Sequence, residues 1–75
     1  MEALYLGVSA RITKAVVNHT TTDWPNYFEG LRDLVLRVIV EKTENHLSIA
    51  DRTALLQRLM DHITVLEKNW PTLEN

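Results

Sequence analysis

Histidines and carboxylates are the side chains here that could hold a metal or move protons, because the 75-residue chain contains no cysteine. A metal site built from imidazoles needs ligands that converge, commonly two residues four apart on one helix face. His19, His46 and His62 are widely separated, and no H-E-x-x-H pattern occurs. Asp61 and His62 are adjacent, so on a helix they point about 100° apart. His19 falls at the end of a helical segment, where a cation near the terminal carbonyls is mildly favourable. His46 lies just before another. These are structural positions, and neither a metal nor a cofactor is expected.

Catalysis finds no better footing. Glu29, Asp33, Glu41 and Glu44 fall on the charged side of one helix, where alternating arginines account for them. A solvated helix face does not shift a carboxyl pKa toward the range a general acid needs. Ser9 and Ser48 have no base nearby in sequence, and Ser48 has the position of a helix cap. A phosphate-cradling glycine loop and a G-x-S-x-G elbow are both missing. The chain is therefore expected not to be an enzyme. Asn18-His19-Thr20 matches a glycosylation sequon, but the opening MEALYLGVSA lacks the positive n-region of a secretory signal.

The elements carrying these residues are helical. Two glycines and two prolines are too few breakers for an all-β chain, which turns every ~8–12 residues. The first segment, about 2–18, places Leu4, Tyr5, Val8, Ile12, Ala15, Val16 and His19 on one face. A thinner stripe of Leu6, Ala10 and Val17 lies opposite. The second segment, about 24–45, is capped by Thr22 or Asp23 and has Pro25 in its first turn, where a missing N–H is harmless. Its apolar positions are Tyr27, Phe28, Leu31, Leu34, Val35, Val38 and Ile39. A strand over Val35–Val40 is the alternative suggested by its β-branched residues, but such a strand would lack a partner. The third segment, about 49–70, opens with the capping pattern Ser48-Ile-Ala-Asp51. It then carries Ile49, Leu55, Leu56, Leu59, Met60, Ile63, Leu66 and Trp70 on one face. Pro71 is expected to stop it, leaving 1–71 as a single helical domain and 72–75 as a frayed tail. Trp-Pro occurs at Trp24-Pro25 and again at Trp70-Pro71, which suggests aromatic plugs at two helix ends.

Short connections make neighbouring helices antiparallel, so the expected fold is all-α with three antiparallel helices. A 75-residue domain buries little more than ~60% of its unfolded surface and often needs a staple, so completion of the bundle by dimerisation is expected. The second helix carries the strongest sign of this. Leu36 and Val40 sit one turn apart among the charges of its polar face. They form the expected protein interface, with Arg32, Asp33 and Arg37 as a charged rim.

The net charge of −2, with eight basic residues interleaved among acids, offers no footprint for nucleic acid or an anionic membrane. No apolar run reaches the ~20 residues of a membrane span. The function this implies is a small cytoplasmic interaction module, an adaptor, assembly factor or inhibitor, acting through helix faces as a homo-oligomer. Two alternatives remain. One is a dimeric nucleic-acid-binding regulator using Arg52 and Arg58 on the third helix. The other is a non-catalytic helical subunit of a larger enzyme complex.

Overall fold

Local capping chemistry defines where the helices begin. The computed structural model describes residues 2–74, with side chains through Asn69, as α1 (Glu2–Asn18), α2 (Trp24–Thr43) and α3 (Ile49–Glu74). At the start of α2, Asp23 Oδ1 accepts the Asn26 N–H at 3.4 Å, and the Asp23 N–H donates to Thr21 Oγ1 at 3.0 Å. Pro25 occupies the first turn. At the start of α3, Ser48 Oγ accepts the Asp51 N–H at 3.1 Å, and the Ser48 carbonyl accepts the Arg52 N–H at 2.9 Å. Each cap satisfies donors that a helix start otherwise leaves without partners. No strand occurs among the described residues, so the extended alternative for Val35–Val40 is replaced by the middle of α2.

The end of α2 differs from the sequence expectation. The helix stops at Thr43 rather than near residue 45, and the His46 and Leu47 N–H groups both donate to the Thr43 carbonyl at 3.1 Å. Arg52, one of the two arginines on which the nucleic-acid alternative depends, turns back onto this end. Its Nη2 donates to the Thr43 and Glu44 carbonyls at 3.2 Å each, and its Nε donates to Thr43 Oγ1 at 3.1 Å. A guanidinium is drawn here because the last carbonyls of a helix lack partners and carry partial negative charge.

The core is a row on α3, Leu55, Leu59 and Ile63, against Ile12 and Val16 of α1 and Trp24, Phe28, Leu31, Val35 and Ile39 of α2. The 26 residues of α3 span about 39 Å, which accounts for most of the molecule's 42 Å long axis. Both other helices lie along it. No Cα of α1 comes within 8 Å of one in α2.

Four residues assigned to apolar faces from the sequence are exposed. Leu34 is 57% exposed and Ile49 is 78% exposed, and Ala15 and His19 are also at the surface. Leu34 and Ala15 lie on the flanks where α1 and α2 fail to close. Ile49 begins α3 some 13 Å before Arg58, the level at which α1 starts with Glu2, so α1 does not cover it. Conversely, Ser9 and Thr43 are buried, each hydroxyl bonding back to a carbonyl in its own helix, Leu6 and Ile39 respectively.

α3 also continues through Pro71 to Glu74. A proline removes its own N–H, but the residues after it can still donate to the preceding turn. The side chain of Trp70 and those of the expected 72–75 tail lie outside the described residues.

Two substitutions test this account by urea unfolding. Arg52→Ala is expected to cost about 1–2 kcal/mol, because it removes a charged donor from three acceptors at the α2 end. Gly30→Ala is expected to stabilise by about 0.5–1 kcal/mol, since Gly30 is mid-helix and a Cβ there meets nothing within 4 Å.

Candidate partner-binding groove

Polar contacts hold α1 and α2 to opposite flanks of α3. On the α1 side, Arg58 grips the Glu2 carboxylate with two nitrogens, at 2.9 and 3.2 Å, and lies 3.9 Å over the Tyr5 ring. This guanidinium holds the Glu2 carboxyl below its ordinary pKa. Further along, the Thr13 hydroxyl lies 3.0 Å from the Ser9 carbonyl and 2.8 Å from His62 Nε2, where donor and acceptor depend on the imidazole tautomer. On the α2 side, Arg32 pairs with Glu67 and donates to Thr64 Oγ1 at 3.4 Å.

The flanks turned away from these contacts face one another across a groove of about 420 Å³. Leu4, Val8 and Ile12, with the small residues Ala3, Gly7 and Ala15, form the α1 wall. Leu31, Leu34, Val35, Val38 and Ile39 form the α2 wall. Arg11 on one wall and Lys42 on the other are the charged lining residues. From Ala3 to Ala15 the groove runs about 18 Å, some three helical turns. Aromatic packing closes the end nearest the α1–α2 turn. There His19 stacks on Tyr27 at 3.9 Å, while Trp24 meets Tyr27 edge-on at 5.6 Å and packs on Phe28 at 5.7 Å. Burial among these rings raises the Tyr27 phenol pKa.

The five residues singled out from the sequence lie elsewhere on α2. Leu36 and Val40 are 45% and 39% exposed, on the helix flank opposite Leu34 and Val38. Asp33 and Arg37 pair with each other at 3.1 Å across one turn. Arg32 is committed to Glu67 and Thr64, so it does not join Asp33 and Arg37 in a free rim. The groove escaped sequence reasoning, although one signal pointed to it: Leu34 and Leu36 lie about equally far round the helix from Val35, on either side.

Among the described residues, no three His, Asp or Glu side chains come together as a possible metal site. None of the described helices is long and apolar enough to cross a membrane. The architecture is therefore a three-helix, all-α bundle with an open apolar groove. No protein-family model matches the chain, and no curated protein or solved structure was found similar to it.

The α1 clamp has a defined pH response. Because Arg58 lowers the Glu2 pKa, the pair's contribution is present above the ordinary carboxylate range and is lost as pH falls through the folded-state value. Glu2→Gln is expected to remove that part of the acid limb in thermal melts taken between pH 7 and pH 2. An acid limb unchanged in the variant would show that the pair adds nothing to stability.

Proposed function

We propose that this chain is a small protein–protein interaction module that receives an apolar helix face in the groove between α1 and α2. Leu34 carries the reading: a large aliphatic side chain, more than half exposed, on the wall of an apolar channel about three turns long. A small-molecule pocket also needs polar groups placed to fix a ligand's orientation. Here the lining is aliphatic apart from Arg11 and Lys42, which suits the ridge of a helix docked into a groove. Such a module binds rather than catalyses, and a cytoplasmic setting is compatible with its lack of cysteine.

Self-association through Leu36 and Val40 is a second reading. It is favoured by their position one turn apart on the other flank of α2, leaving the groove free. The nucleic-acid alternative has less support, because Arg52 is engaged at Thr43 and Glu44, and Arg58 at Glu2 and Tyr5.

A neutral amphipathic helical peptide, with leucines at i, i+3, i+4 and i+7, separates these faces when titrated against the labelled protein by amide NMR. Shifts are expected at Gly7, Ala15, Leu34 and Val38, and Leu34→Asp is expected to abolish them with less than about 1 kcal/mol lost in stability. Shifts confined to Leu36 and Val40 would overturn the groove. Light scattering of the Leu36→Ala/Val40→Ala double variant checks the second reading, for which a dimeric parent should become monomeric.

A further inference from the structure

The charges that line the groove bear on what fills it. Arg32, Arg37, Arg52 and Arg58 all have partners within the chain. Arg11, Lys14, Lys42 and Lys68 form no ion pair among the described residues, and of these Arg11 and Lys42 line the groove, one on each wall. No acidic residue lines the groove. It is thus an apolar floor between two uncompensated cations.

From this we infer that the occupant is an amphipathic helix of a different protein, with acidic residues flanking its apolar ridge. A second copy of this chain fits poorly. A two-fold interface places the same patch on both sides, so groove against groove would set Arg11 and Lys42 against a surface whose charged lining is again Arg11 and Lys42. An acidic flank on a foreign helix pairs with both, and complementary charge also speeds and orients docking. Gly7 supports close approach on the α1 wall. It is a mid-helix glycine where a Cβ would meet nothing within 4 Å, so packing within the chain does not require it. A neighbouring helix can come close to the backbone there.

This inference rests on the helix-docking reading of the groove, and the experiment separates the two. Three peptides share one apolar ridge of about 18 residues and carry Glu, Gln or Lys at the flanking positions. Each is titrated against the full chain at low and high salt, with amide shifts reporting the site. The Glu peptide is expected to bind at Gly7, Leu34 and Val38 about tenfold more tightly than the Lys peptide, the gap shrinking with salt. An Arg11→Glu/Lys42→Glu variant is expected to reverse the order. Equal binding of all three in the groove would overturn the acidic partner while leaving helix docking intact. No binding of any peptide by the folded protein would overturn both. A stable dimer whose groove amides are protected from exchange would replace the foreign helix with a second copy.

Discussion

Everything in this fold leans on one row of side chains, Leu55, Leu59 and Ile63, which α3 presents to both of its neighbours and which is fully buried between them. A single helical stripe can serve two helices only if they lie side by side along it. α1 and α2 do so, and no Cα of one comes within 8 Å of a Cα of the other. Near their connecting turn, the rings of His19, Trp24, Tyr27 and Phe28 fill the space between them. Farther along, the α1 wall is built partly from Ala3, Gly7 and Ala15, which are too small to reach across. The groove follows directly from that change in side-chain size.

Polar contacts set the register of this arrangement more than its stability. Exposed pairs such as Glu2–Arg58 and Asp33–Arg37 are each worth little in water, because solvent screens them and holding long side chains in place costs entropy. Their distribution is more informative than their number. Arg58 and His62 bind toward α1, and Glu67, Thr64 and Arg52 toward α2, so each outer helix is fixed in its rotation about its own axis. With rotation fixed, Leu4 and Val8 must look toward Leu34 and Val38. Arg11 and Lys42 are the charged residues that line the groove between them.

Much of the local structure was legible in the residues themselves. Asp23 and Ser48 announce two helix starts through oxygens that accept orphan N–H groups, and Pro25 through a missing N–H that costs nothing in a first turn. Those starts fall where the sequence places them. The apolar spacing of Phe28, Leu31, Val35 and Ile39 likewise marks the buried face of α2. Less legible was which flanking residues would be covered. Leu34 reads as core and Leu36 as the anomaly, yet Leu34 is the more exposed of the two. Thr43 and Arg52 were equally opaque, since a threonine is buried only because its hydroxyl finds Ile39 and an arginine turns inward only because helix-end carbonyls await it.

The sequence by itself determined that there would be three helices, where two of them start and which stripe of each is apolar. Those properties depend on capping and on the 3.6-residue period, which act within a few residues of chain. Only the tertiary structure decided that the bundle stays open between α1 and α2, with an apolar channel between two cations. Helical periodicity gives the angle of a side chain about its own axis; whether a neighbour stands there depends on packing among residues far apart in the chain. Here the α3 row holds both outer helices, and the small α1 residues leave the remaining side unfilled.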